Sequence, residues 1–523
     1  MDDIKQPMPR RRFLKVGAGA AITAGVLASC DEPPKPGNEQ KRRPNILFIL
    51  ADDLGWGDIS RYGRTDYFTP NIDSIGERGI SFTDGYANSC VCTPTRVGFF
   101  TGRYQQRLPF HEQFGNQEYG IPPETPTVAS VLGKAGYKTA LIGKWHCGEA
   151  PKYGPNKSGF EYFFGFLGGA EDYFDHTDAG EGVGKPDLWE NEKPTTAEGY
   201  LTRVFTDRAI GYLEERAGKP DPFYLSLHYN AVHWPWESPD TGPNPIKGIE
   251  GFNAGSPEIF GQMTVELDRQ VGRVLSALDE LKLSDNTLVV FTSDNGGERY
   301  GHEYPFNGQK GNLYEGGIRV PMMARWPGRI APGRTTRQPA ITMDWTATIA
   351  AVAGAGWDAA SPLDGHDLTP QLTGAPEAER PLFWRFNFVG QAAKIEDELK
   401  ARGLPADTVP PDAFRLNQAA VRRGRYKYLK LSDDIEQLYD LSAPISLPHP
   451  GREDPEAAER NLSDKPEHAA LLAELRKQYQ DWDASMASPD HISFDGAAGA
   501  DADKRLVPGG NESPGGYPEP FQK

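Results

Sequence analysis

Thr287-Leu288-Val289-Val290-Phe291-Thr292 is followed, after Ser293, by Asp294-Asn295-Gly296-Gly297. A short apolar, β-branched run without alternation is the composition of a strand buried on both faces, and the polar, glycine-rich end is a turn at its carboxyl terminus. Three other segments repeat this arrangement. Asn45-Ile46-Leu47-Phe48-Ile49-Leu50 runs into Asp52 and Asp53. Lys138 to Ile142 delivers Lys144 and His146, and Phe223 to Leu227 feeds a loop with His233 and Trp234-Pro235-Trp236. Helical stretches are expected at Asn71–Gly79, Thr125–Ala135, Glu198–Ala217 and Glu258–Leu281. Strands alternating with helices predict an α/β sandwich, a large mostly parallel central sheet flanked by helices. In such sheets ligands bind outside the carboxyl ends of strands, where these four segments end in acids, amides, lysines or histidines.

Beyond Pro381 the pattern changes. Ala419 to Leu431 reads as a hairpin turning near Gly424, Gln437 to Leu441 as a strand and Glu467 to Met486 as an amphipathic helix, making a smaller C-terminal α+β subdomain of antiparallel strands and one helix. The basic residues of the hairpin read as a solvated strand face, and Asp397 to Pro411 as an insertion or loop. The expected organisation is a signal at 1–30, a linker at 31–43, a catalytic domain at 44–380, the C-terminal subdomain at 381–487 and a loosely packed tail at 488–523.

A chain of 523 residues can bury a large core. Its formal charge of −17 argues against nucleic acid as a partner, so an anionic substrate must be drawn in by a local cationic pocket. The four cysteines, Cys30, Cys90, Cys92 and Cys147, are too few for a disulfide framework, and Cys90 and Cys147 read as small buried thiols. Arg10-Arg11-Arg12-Phe13-Leu14-Lys15 resembles a twin-arginine export motif. The apolar run Val16 to Leu27 is too short to span a membrane. It ends in Leu27-Ala28-Ser29-Cys30, which resembles a bacterial lipobox with a lipidated cysteine. Together they imply a bacterial cell-envelope protein, periplasmic or on the surface, exported by the twin-arginine machinery and anchored to a membrane through lipid on Cys30.

Cys92-Thr93-Pro94-Thr95-Arg96-Val97-Gly98-Phe99-Phe100-Thr101-Gly102-Arg103 carries the chemistry. Pro94 can open a helix, which places Cys92 just before a helix N-terminus that favours an anion. Arg96 follows one turn later on the same face. With its Thr-Gly ending the stretch resembles the sulfatase signature, in which the cysteine is oxidised to formylglycine. Thr95 departs from the family's usual Ser or Ala. Asp52, Asp53, Asp294 and Asn295 are hard oxygen donors, with no Cys/His set nearby, and favour a calcium- or magnesium-type ion over zinc.

The resemblance is strong over about 44–330 and implies an alkaline-phosphatase-like fold, sulfate monoester hydrolysis, and one divalent cation, calcium, with modified Cys92 as a further ligand. Gly143-Lys144-Trp145-His146 is similar to the element that holds a sulfate oxygen and contacts the formylglycine hydroxyl. His233 matches the histidine that protonates the leaving group, and Lys310 the second sulfate-binding lysine. By this resemblance Arg96 and the metal lower the nucleophile's hydroxyl pKa. A maturation enzyme that generates formylglycine is implied as a partner. A small polar group sometimes found near Gly168-Gly169-Ala170 is absent, while His302, Asp172 and His176 lie in loops that could reach substrate. Trp234, Trp236, Tyr300 and Tyr304 suit a sulfated small molecule or oligosaccharide, because sugars stack on aromatic faces. Competing readings are a phosphodiesterase or phosphonate monoester hydrolase of the same superfamily, and a non-catalytic sulfoglycan-binding lipoprotein.

Overall fold

The computed structural model describes residues 43–108, 120–180, 183–244, 246, 251, 254–389, 415–432, 435–443, 445, 447 and 460–486. The export and lipobox segment with Cys30, the linker up to 42, the 397–411 insertion and the tail from 488 lie outside the described residues.

Four strands form the middle of a ten-stranded sheet: β1 (Asn45–Ala51), β2 (Lys138–Lys144), β3 (Phe223–His228) and β4 (Thr287–Ser293). Their spatial order is β4-β1-β3-β2, continued beyond β2 by Tyr162–Phe166, and all these neighbours pair in parallel. Met322–Arg325 next to β4 and Leu188–Glu190 near the other edge run antiparallel, so the sheet is mostly parallel, as expected. Successive side chains alternate between two cores because strand side chains alternate faces. Leu47, Ile49, Leu225, Leu227, Val289 and Phe291 meet helices α2 (Leu201–Arg216) and α3 (Pro257–Glu280). Ile46, Phe48, Leu50, Tyr224, Leu288 and Val290 meet α1 (Cys92–Thr101) and α4 (Thr342–Ala353). Neither face of these strands is left to solvent, which is why most of their length reads as apolar runs.

Element ends shift by a few residues from expectation. The helix expected from Thr125 begins at Val128, because Thr127 caps it by accepting from Ser130 N while Ser130 reaches back to Thr127 N. In α1, Val91 is the N-cap, so Cys92 is the first helical residue and Pro94 sits inside the first turn, where its missing N–H costs nothing.

The C-terminal strands Leu382–Val389, Arg415–Arg423, Tyr426–Ser432, Ile435–Asp440 and Arg460–Asn461 form a separate antiparallel sheet in chain order, with the hairpin turning at Gly424. Helix α5 (Ala469–Asp483) covers it through Leu475, Tyr479 and Trp482. The solvated basic face expected of the hairpin is only partly right. Arg422 and Lys427 are 3% and 1% exposed and are drawn inward by buried acids of the large sheet's loops, Asp84 and Glu315.

Candidate active site

Strands β1 and β4 are in parallel register with Ala51 opposite Ser293, so Asp52-Asp53 and Asp294-Asn295 leave the sheet side by side although 241 residues apart. Cross-links lock the two ends. Asp53 N donates to Asp294 Oδ1 (3.3 Å), Leu54 N to Ser293 Oγ (3.0 Å) and Asn295 Nδ2 to Asp53 Oδ1 (2.7 Å). On the other side Asp52 N donates to Ala231 O and Val232 N to Asp52 O, which ties the acids to the loop after β3. All four residues are at most 1% exposed.

Helix α1 brings its first residue, Cys92, to these acids. One ligand atom each from Asp52, Cys92 and Asp294 lies within 4.8 Å of the others, as do atoms of Asp52, Asp53 and His233. Arg96, one turn into the helix, donates from Nε (3.0 Å) and Nη2 (2.7 Å) to Asp294 Oδ2, and from Nη1 to Lys144 O (3.0 Å). Thr95 finds a purpose here: its Oγ1 accepts from Ser89 N (2.9 Å) and donates to Ser89 O (3.1 Å), closing the loop ahead of the helix.

The remaining expected residues converge on the same acids. Lys144 Nζ stands 2.7 Å from Asp52 Oδ2, and Lys310 Nζ 2.9 Å from Asp53 Oδ2. His233 Nδ1 is 2.6 Å from Trp234 O, an acceptor, so Nδ1 carries the proton and Nε2 points its lone pair inward, 3.6 Å from Asp53 Oδ2. Burial, then the charges of Lys310 and Lys144, holds His233 well below the ordinary histidine range. Burial, then Lys144, Arg96 and Lys310, does the same to His146, whose ring lies against Gly169 so closely that a Cβ there would stand 2.9 Å from it. A side chain at 169 has no room, which is the physical reason a small residue stands there.

Burial raises the pKa of Asp52, and raises that of Asp294 to about 6, with their mutual charge adding to the effect on Asp294. Acids driven up in this way are the ones a cation stabilises. Asp52 Oδ1 and Asn295 Oδ1 are buried without a hydrogen-bond partner. Two orphan oxygens, two further carboxylates and the atom at position 92 make a hard, oxygen-rich donor set that fits a divalent cation.

Other expectations fare differently. Trp234 and Trp236 are 1% and 2% exposed; Trp236 packs edge-on to Tyr300, whose hydroxyl donates to Gly255 O, so these rings are core rather than open stacking surface. Asp172 Oδ1 accepts from Phe174 N and Asp175 N within its own loop, and His176 Nε2 bonds Gly199 O, tying that loop to the segment ahead of α2. His302 N donates to Asp58 Oδ1. Cys90 and Cys147 are both buried, as read from their number and setting. One residue of the site was missed: His228, at the end of β3, whose Nδ1 is 3.2 Å from Arg96 Nη1. Its signal was available, since Ser226 and His228 are polar at alternate positions of a strand otherwise apolar.

Residues 44–355 match the family model described as Sulfatase. The chain is 32% identical over 370 residues to the N-acetylgalactosamine-6-sulfatase of Canis lupus familiaris, covering 65% of this chain and 68% of that relative. It is 34% identical over 397 residues to Arylsulfatase A of Homo sapiens, covering 71% and 72%. Among solved structures it is similar to Ps i-CgsB in complex with k-i-k-neocarrahexaose, at 28% identity and a TM-score of 0.69, covering 86% of this chain and 94% of that one.

Proposed function

The chain belongs to the sulfatase family and is a sulfuric ester hydrolase, and we propose that it desulfates a carbohydrate through a formylglycine made from Cys92. The observation that carries this reading is the placement of Cys92 at a helix N-terminus, buried against Asp52 and Asp294 with Arg96, Lys144 and Lys310 paired to the surrounding acids. The carbohydrate reading is supported by the kinship with N-acetylgalactosamine-6-sulfatases and by a structural relative that holds a neocarrahexaose.

Formylglycine at position 92 would supply a hydrated aldehyde as the nucleophile toward sulfur. Asp52, Asp53, Asp294 and Asn295 would hold a divalent cation, of the calcium or magnesium type by the hardness of the donors and calcium by the family resemblance, and it would neutralise charge on the sulfuryl group. The chain's own contribution is electrostatic. The carboxylates of Asp52, Asp53 and Asp294 formally cancel the cations of Arg96, Lys144 and Lys310, so a divalent ion would leave the pocket two charges positive, enough to offset the single charge of a sulfate ester and the second that develops on the leaving oxygen as the S–O bond breaks. Lys144 and Lys310 reach in from two sides of the acids, placed to hold sulfuryl oxygens. His233 presents Nε2 inward; burial and then the two lysines keep it neutral, and the lysine charges are the ones a bound sulfate ester would offset, so substrate would shift the balance toward the protonated form that hands a proton to the leaving oxygen. His146, likewise held neutral by burial, would take the proton from the nucleophile's second hydroxyl when sulfate is expelled.

The test is mass spectrometry of the tryptic peptide 79–96 from protein made in its native host, with turnover of defined sulfated sugars and of an aryl phosphodiester. Formylglycine at 92 and preferential release of sulfate from a sugar are expected; an intact thiol in active protein, or preference for the phosphodiester, would falsify the reading. The N-terminal segment supports an envelope lipoprotein exported by the twin-arginine route, in which modification of Cys92 precedes export. Replacing Cys30 with Ala should release the protein from the membrane fraction, and continued membrane retention counts against the anchor.

A further inference from the structure

Strand β3 lies in the middle of the sheet, and Leu225 and Leu227 fill one of its faces with apolar side chains. The opposite face carries Tyr224, Ser226 and His228, all fully buried. Buried polar groups on a central strand cost stability unless every one is bonded, so a polar ladder there signals a task. The ladder runs from Tyr224 OH to Ser226 Oγ (3.1 Å), from Ser226 Oγ to His228 Nε2 (2.8 Å), and from His228 Nδ1 to Arg96 Nη1 (3.2 Å).

The guanidinium decides the direction of these bonds. Arg96 has donors only, so His228 Nδ1 must accept, and the ring's proton sits on Nε2 and is donated to Ser226 Oγ. A proton on both nitrogens would set one cation against another at 3.2 Å. The ring is shielded from water by Phe100, stacked at 5.4 Å between centroids, and by Phe48 and Phe99 at 6.2 and 6.0 Å. Arg96 is then held on three sides, by Asp294 Oδ2, Lys144 O and His228 Nδ1, with Nη2 3.7 Å from Asp52 Oδ1.

We propose that His228 is a positioning residue for the reaction: its neutral ring, anchored by Ser226, presents Nδ1 as the acceptor that aims Arg96 at residue 92 and at Asp52 and Asp294. Asp294 grips one edge of the guanidinium, and a single carboxylate oxygen accepting from two nitrogens leaves the plane free to pivot. The second edge is fixed by Lys144 O and His228, so loss of the histidine removes one of two restraints on that pivot. This inference rests on the sulfatase reading for its kinetic consequence but not for its geometry.

The test compares H228L, which keeps the volume and removes the acceptor, with H228N, whose Oδ1 stands where Nδ1 stood, and with S226A, which frees the ring. Turnover of an aryl sulfate is expressed per formylglycine-bearing subunit. H228L should lower kcat by about 10- to 100-fold with KM changed by less than about twofold, since a misaimed catalytic group costs on this order. H228N should regain most of the loss and S226A should fall between. Unfolding midpoints report folding, and if H228L does not fold, S226A against wild type and H228N carries the comparison. Crystal structures of the variants read the placement of Arg96 without turnover: displaced in H228L, retained in H228N. Unchanged kcat in H228L or S226A, or H228N as slow as H228L with Arg96 in place in both, overturns the proposal. A wild-type protein inert on every sulfate ester removes the activity reading instead, and leaves this one to the crystal structures.

Discussion

Glu315 and Lys427 offer a test of how the C-terminal sheet is bolted to the catalytic sheet. Lys427 Nζ is 2.8 Å from Glu315 Oε1; Tyr86 OH (2.7 Å) and Arg319 Nη1 (3.1 Å) donate to Glu315 Oε2. Arg319 and Arg422 both bond Asp84 Oδ1, and Arg422 also donates to Tyr86 OH. These side chains are at most 3% exposed. Two carboxylates thus face three buried cations, an excess of one positive charge. Replacing Lys427 with Met deletes one charge-assisted bond but leaves the set neutral, at a cost of about 2 kcal/mol. Replacing Glu315 with Gln leaves three cations to Asp84 alone, an excess of two, and should cost about 3–5 kcal/mol. Glu315 also opens the turn whose Gly317 O receives Gly296 N beside the site, so E315Q should lower kcat more than K427M does. Apparent midpoints in urea, followed by fluorescence and by activity, measure both effects, with comparison of midpoints preferred because a chain this long need not unfold in two states. A K427M variant destabilised as much as E315Q or more would refute the charge count.

Three further outcomes are expected. Asp58 and Glu303 accept from Gly55 N, Trp56 N, Gly297 N and His302 N, pinning the loops after β1 and β4; burial raises Asp58 to about 7 and, with Asp58, raises Glu303 well above the carboxylate range. Both are above their unfolded values, so the folded state binds more protons and stability should fall as pH rises toward and through about 7; E303Q should flatten that slope in unfolding midpoints, and an unchanged slope would show that the pair holds no proton. Lys310→Ala should lower kcat/KM for a sulfate ester by about 10²-fold or more while sulfate inhibits more weakly, and undiminished product inhibition would count against its placement at the sulfuryl group. Chelation should abolish activity and lower the unfolding midpoint, because Asp52 Oδ1 and Asn295 Oδ1 would be left buried without a partner; recovery with calcium but not with buffer alone is the check.

Much of this molecule is written in short windows of its chain. Runs such as Asn45–Leu50 and Thr287–Thr292 are apolar throughout because both their faces are covered, and that requirement is visible without knowing what covers them. The polar residues at their carboxyl ends, and the local order Cys92, Pro94, Arg96, are likewise legible, since one strand end or one helical turn is all they involve. What the chain alone left open is who meets whom. Lys144 pairs with Asp52 and Lys310 with Asp53 only because the parallel register of β4, β1, β3 and β2 brings those loops to one edge. The same local signals misled elsewhere: Arg422 and Lys427 look solvated in sequence, yet Asp84 and Glu315 make burial favourable, and Trp234 and Trp236 look like open platforms but pack inward. His228 shows the division most clearly. Its polar alternation on β3 was present in the sequence, but its purpose depends on Arg96, 132 residues away, and only the folded sheet puts the two within bonding distance. Burial pattern is a property of a segment, whereas charge pairing is a property of the space that distant segments share, and Coulomb and hydrogen-bond energies fall off too steeply for anything but tertiary structure to decide them.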